Sequence, residues 1–560
     1  MHSVKSLQAT AQASHADGGH ESLLGHLGAD GKYPANMERD LHRAVRRHIG
    51  FQMRPYLVEC VINRNGDMQL HKHAILLPHE VFACIYARNV DVFNRMFLCG
   101  DEAVKFWKMQ EETQEEWWLD HPLRDLVNEC PGKYIPARLF GDEVALAKRG
   151  RPMLALLWYS TVCRLPSQMS KLVMLFIMCE SLTDATLPPL LQVIKWSFNV
   201  MAWGKWPAQN HQGDAWPSNS YRAKFAGTCL TAEQHCVVLT QVLGDWKWQK
   251  EALNLEFNYA TTECCLECHA TKNNTALTYS DCSEHAPWTK TARTHFEYLL
   301  SVPNMSPLSE ITGWHYTCLW IDAMHCDLLG IRLEALGSTI IELCDEGIVP
   351  KPAIGPWKQK ANQQLRLLYR EFKEYLRKTG QSCSHPQFSL AQLHMATLSD
   401  WPWLKAKAGN AILLTQWVVE VCRRNCNTEY ASTRLMMWEG FNILSTLIKQ
   451  SDHILSAEQA ASLEEARKAI LYGYRALSLA NFGFNPVKAR YNMKPKYHML
   501  DHLLRRCVKL RYNPGWCWTM SDEDMLGHLV KSSRGCHGST VGNRALDRWL
   551  TCFFALLPDM

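Results

Sequence analysis

Tyr134-Ile-Pro-Ala-Arg-Leu-Phe-Gly-Asp-Glu-Val144 is an apolar run that carries two adjacent acids, Asp142 and Glu143, near its end. Two more apolar runs follow, Met153–Val162 and Lys171–Cys179, set apart by Gly150-Arg-Pro152 and Leu165-Pro-Ser167. Short apolar runs bounded by Gly and Pro read as strands, and three in close order predict a meander. Pro188–Trp203 then has apolar residues at helical spacing. Cys236–Leu243 reads as another buried strand, which ends at Gly244-Asp245-Trp246.

Strand, strand, strand, helix, strand is the opening order of an RNase H-like core. In such a sheet an acid on the first strand and one at the end of the fourth lie side by side. From about residue 330 to 500 the pattern is helical and nearly free of strand signals. Glu334–Asp345, Pro356–Thr379, Ala411–Asn425, Thr433–Ser451 and Ala457–Leu479 each read as a helix. The expected fold is α+β: an RNase H-like core interrupted by a large all-helical insertion, with a zinc-stapled C-terminal helical part. Residues 1–36, rich in Gly, His, Ser and Ala, are expected to be disordered. Residues 37–130 are expected to form a mainly helical region. Core, insertion and C-terminal helices follow at 131–329, 330–490 and 491–560.

Bulk composition narrows the class. With 47% hydrophobic and 21% charged residues in a 560-residue chain, a sizeable core is affordable. The opening MHSVKSLQATAQASHADGGH has no apolar signal core, and the longest apolar stretches are interrupted well short of a membrane span. The 22 cysteines therefore point to a reducing compartment and mostly free thiols, in a soluble intracellular protein. A net charge of +5 does not by itself argue for nucleic acid.

Four polar clusters carry the chemistry. Cys265-Leu-Glu-Cys268 has the spacing of a zinc knuckle, with Cys264 as a rival register and His269 adjacent. His498 and His502 stand one helical turn apart on one face. Either pair alone is unremarkable in a chain with 22 Cys and 24 His; together they supply the four ligands of a closed zinc site. Asp142, Asp245 and Glu523 are candidate carboxylates for two Mg²⁺ or Mn²⁺ ions, the set that phosphoryl transfer on DNA needs. Glu143, Asp522 and Asp524 offer neighbouring registers. Asp322 and His325, at i and i+3, are candidates to orient a phosphate or brace a carboxylate, or else mark a capped helix start. Lys494, Lys496, Arg505, Arg506, Lys509 and Arg511 form a basic stretch that suits a phosphate backbone or simply a solvated helix face.

The order of these clusters resembles the DDE cut-and-paste transposases of the CACTA and related superfamilies. It is also similar to the catalytic core of the V(D)J recombination-activating recombinase. The residues that carry the resemblance are Asp142, then Asp245 twenty residues before Cys265-Leu-Glu-Cys268, then Asp322-Ala-Met-His325, His498 with His502, and Glu523.

The resemblance covers roughly 134–550. It implies Asp142, Asp245 and Glu523 as catalytic metal carboxylates and Cys265, Cys268, His498 and His502 as ligands of a structural Zn²⁺. The expected activity is Mg²⁺-dependent cleavage and transfer of DNA strands. The expected setting is the nucleus, away from membranes, in a homodimer or larger synaptic assembly on DNA. The alternative is a catalytically inactive, domesticated descendant that binds DNA. A third, unrelated option is a zinc-stabilised helical protein with no nucleic-acid role.

Overall fold

A computed structural model describes residues 36–48 and 53–557, apart from 147–150, 274–275, 303, 353 and 485–487, with a few isolated positions before residue 36. The expectation of disorder for 1–36 therefore falls almost wholly outside the described residues. The chain is α+β, with a mixed sheet and a large helical part. It divides into two compact units, each built from separate stretches of sequence. One comprises 1–242, 306–318 and 521–560; the other comprises 243–305 and 319–520.

The first unit opens with a hairpin of β1 (Tyr56–Arg64) and β2 (Asp67–Ile75). Its turn is Asn65-Gly66, both at positive φ (56° and 97°). Such a turn matches the twist of paired strands and selects Asn-Gly. This hairpin lies in the stretch expected to be mainly helical, and the Asn-Gly dipeptide was its signal. Helices Pro78–Arg88 and Glu102–Thr113 follow, within the stretch expected to be mainly helical.

The main sheet is ordered β5-β4-β3-β6, from β3 (Tyr134–Ala145), β4 (Pro152–Ser160), β5 (Leu172–Met178) and β6 (Cys236–Gly244). β3 pairs antiparallel with β4, and β4 with β5. Each expected strand is present with its ends shifted by at most two residues. Every residue of β5 is buried, so its sequence is continuously apolar rather than alternating. The helix Val541–Leu556 packs on β5. Each large apolar side chain so buried contributes about 1.5–3 kcal/mol. Helix Leu187–Trp203 starts on Pro188 and Pro189 and stops at Gly204, whose φ of 65° ends a helix cheaply only for glycine.

The second unit is mostly helical. Its long elements are Arg332–Asp345, Trp357–Lys378, Ala408–Arg424, Glu429–Gln450, Ala457–Phe484 and Pro495–Leu510. Buried charges in it are paired: Arg332 with Asp327 at 2.6 Å and Arg434 with Glu342 at 3.1 Å. Among the described residues no helix is long and apolar enough to cross a membrane.

Candidate metal centres

In the second unit, Cys265, Cys268, His498 and His502 bring one sulfur or nitrogen each to within 4.8 Å of the others. Cys268 Sγ lies 3.3 Å from the Nε2 atoms of both histidines, which are 3.1 Å apart. A tetrahedral zinc with ordinary bond lengths separates sulfur from nitrogen by about 3.6 Å and two nitrogens by about 3.3 Å. The four groups thus stand at the spacing of one small cation's ligand shell. Helix Pro495–Leu510 supplies both histidines from one face, and Trp288 packs against both rings at 4.4 and 4.9 Å.

Cys264 and His269 lie outside this cluster. Cys264 Sγ points to the carbonyl of Ala270 at 3.8 Å, and His269 pairs with Glu263 at 3.5 Å. Cys265 Sγ accepts the backbone N–H of Glu267 at 3.3 Å, a contact that favours a thiolate. Burial pushes the Cys265 thiol up, a direction a bound divalent cation reverses. Burial also holds His498 well below its ordinary value, in the neutral form that ligates.

Glu267, between the two cysteines, was not singled out from sequence. One of its oxygens lies 3.1 Å from His502 Nδ1. Burial raises the Glu267 carboxyl, but His502 outweighs this and holds it below the usual range. A carboxylate on Nδ1 fixes the proton there and leaves Nε2 as the lone pair, the usual support for a metal-bound imidazole.

In the first unit, Asp142 on β3 and Glu523 on the helix Met520–Ser533 place their carboxylates within 4.8 Å of each other. Asp142 is buried and Glu523 half-buried. The three consecutive acids of that helix diverge. Asp522 is fully buried, with Lys171 Nζ at 3.5 Å. Asp524 is exposed and accepts a hydrogen bond from Ser167. Of these three acids, Glu523 is the one whose carboxylate lies beside Asp142. Burial lowers the Lys171 ammonium to about 8, against the opposing pull of Asp522.

Asp245 belongs to the second unit. It caps helix Trp246–Leu253, with Oδ1 accepting the N–H of Trp248 at 2.6 Å. It also lines a cavity of about 400 Å³ with Asp322, His325, Lys494, Lys496, Trp246 and Tyr259. Asp322 is buried and receives the N–H of Met324 (2.9 Å), the hydroxyl of Thr519 (2.6 Å) and His325 Nδ1. Asp322 thus accepts a backbone N–H at the start of the wide helical turn Met324–Ile331 and also holds the His325 imidazole.

The basic stretch is partly structural. Arg505 bonds Asp501 at 2.9 Å and the carbonyls of Cys282 and Ser283. Arg506 bonds the carbonyl of Leu319 and lies 3.8 Å over the Trp320 ring. Lys494 pairs with Glu334, and Lys496 stands beside Gly330. Lys494, Lys509 and Arg511 are exposed. No protein-family model matches the sequence, and no curated protein matches it.

Proposed function

We propose that the chain is a DNA strand-cleaving and strand-transferring protein of the DDE transposase type, built on an RNase H-like core. The observation that carries this reading is the meeting of Asp142 and Glu523. One comes from the sheet strand next to β6 and the other from a helix near the chain's end, with carboxylates within 4.8 Å. Two carboxylates held so close repel unless a cation lies between them. Hard oxygen donors of this kind suit Mg²⁺ or Mn²⁺.

When bound, the cations would supply Lewis acidity for in-line displacement at a phosphodiester. Asp142 and Glu523 would hold them. Asp245 is proposed as the third carboxylate on the strength of the resemblance. His325, fixed by Asp322, offers its Nε2 lone pair to a proton or phosphate. The Cys265, Cys268, His498 and His502 cluster is proposed to hold a structural Zn²⁺ that pins the segment after Asp245 to the helix Pro495–Leu510. The nucleus and a DNA-bound homodimer or larger assembly are the proposed setting.

The test is strand nicking of duplex DNA by purified protein with Mg²⁺ or Mn²⁺. Cleavage lost in Asp142→Asn and in Glu523→Gln supports the reading. DNA binding in wild-type protein with no cleavage under either metal, across duplexes that include the gene's own flanking sequence, favours the inactive DNA-binding descendant.

A further inference from the structure

A row of buried polar side chains crosses the sheet of the first unit, one from each strand or its edge. Gln241 on β6 accepts from Arg138 on β3 at 2.8 and 2.5 Å. Arg138 also donates to the hydroxyl of Tyr159 on β4 at 3.2 Å. The Lys171 ammonium, just before β5, sits 3.0 Å over the centre of the Tyr159 ring and 3.5 Å from Asp522. The row ends on Asp522, in the first turn of the helix that carries Glu523.

This pair is costly to build. Lys171 and Asp522 are both almost wholly removed from solvent. Neither Asp522 oxygen makes a well-formed hydrogen bond; the Lys171 ammonium and the Tyr159 side chain are the groups that stand against it. Buried ion pairs of that kind commonly stabilise a fold no better than apolar residues of the same volume. Orientation is what the pair does supply. Successive helical residues point about 100° apart. With Asp522 drawn inward to Lys171, the next residue must face elsewhere, and it meets Asp142; the third, Asp524, turns to solvent.

We infer that Lys171 and Asp522 are positioning residues that set the rotation of the helix Met520–Ser533, and so hold Glu523 against Asp142. This rests on the reading of Asp142 and Glu523 as a metal pair. It adds to that reading the device that keeps two like charges together before a cation arrives.

The test removes both charges at once, because removing one strands the other. Full-length Lys171→Met/Asp522→Leu is compared with wild type and with Asp142→Asn. The measurements are Mn²⁺ binding, by electron paramagnetic resonance of free Mn²⁺, and bound zinc with melting temperature as the measure of folding. The expected result is unchanged zinc and melting, with Mn²⁺ affinity at least ~10-fold weaker, the scale on which orienting groups act. If that double variant does not fold, Lys171→Met/Asp522→Asn, which also drops both charges but keeps the shape of the acid, is expected to weaken Mn²⁺ in the same direction. Wild-type affinity in whichever of the two variants folds overturns the inference while leaving the metal pair standing. If wild type binds Mn²⁺ no better than Asp142→Asn, the metal pair itself is refuted, and the positioning role with it.

Discussion

His502 Nδ1 lies 3.1 Å from a carboxylate oxygen of Glu267, the residue between the two cysteines it faces. The contact sets which imidazole nitrogen is left for a cation. Glu267→Ala is expected to weaken zinc by about 10–100-fold while leaving all four ligands in place. Competition against a chromophoric chelator measures it. Equal affinity in variant and wild type would remove Glu267 from the centre.

The two adjacent cysteines are expected to behave oppositely. Cys265→Ser removes one of the four proposed zinc ligands, so the purified protein is expected to carry no zinc and to melt at a lower temperature. Cys264→Ser alters a thiol turned toward the Ala270 carbonyl, and zinc content should stay as in wild type. Metal analysis of both variants decides the register directly. Stripping zinc with a chelator should reproduce the Cys265→Ser melting curve, because binding free energy of a structural zinc is folding free energy.

The long-range pairings were legible because their residue types are restrictive. Cys-x-x-Cys and His-x-x-x-His each have a fixed local geometry, and four ligands need one another. The strands were legible because β5 is buried throughout and β4 at every residue after Pro152, which leaves nearly unbroken apolar text. What stayed hidden depends on contacts between distant segments. Lys171 opens an apolar run, and nothing in the sequence pairs it with Asp522. Arg505 and Arg506 read as a phosphate-binding pair until Asp501 and Trp320 are seen to take them up. Asp245 carries a local cap as well as its place in the cavity, and one residue type serves both.

Those contacts redirect the test of DNA binding. Arg505→Ala and Arg506→Ala are expected to lower stability, since the first takes a donor from the Cys282 and Ser283 carbonyls and the second from the Leu319 carbonyl. The exposed residues Lys509 and Arg511 are the ones to change for affinity. Each that touches a phosphate should reduce the slope of log affinity against log salt by about 1, equally for all sequences. An unchanged slope in Lys509→Ala/Arg511→Ala would return this face to plain solvent.

Three histidines make the first unit sensitive to acid. Burial lowers His73 to about 4, His79 to about 3 and His121 to about 4, and the Nε2 atom of each has no hydrogen-bond partner. In the unfolded chain all three titrate near 6.5. Between that value and about 4 the unfolded state binds more protons, so stability is full above 6.5 and is lost as the pH falls through this window. Each histidine contributes about 1.4 kcal/mol per pH unit there. Urea titrations at pH 7, 6 and 5 should show the fall, and His121→Asn should remove one proton's worth of slope. A flat profile would mean that other groups compensate within the same window.

Asp142→Asn separates stability from activity most sharply. Two carboxylates within 4.8 Å repel when both are ionised. At an effective dielectric near that of a protein surface, their repulsion is on the order of 3–4 kcal/mol. The amide removes one charge and almost no volume. The variant should therefore melt higher than metal-free wild type, bind DNA as wild type does, and cut none of it. Added Mg²⁺ should raise the melting temperature of wild type and leave the variant where it was, since binding to the native state alone is what stabilises. If Asp142→Asn melts lower than wild type in the absence of metal, the two carboxylates are held by other partners rather than waiting for a cation, and the case for metal-dependent cleavage loses its central observation.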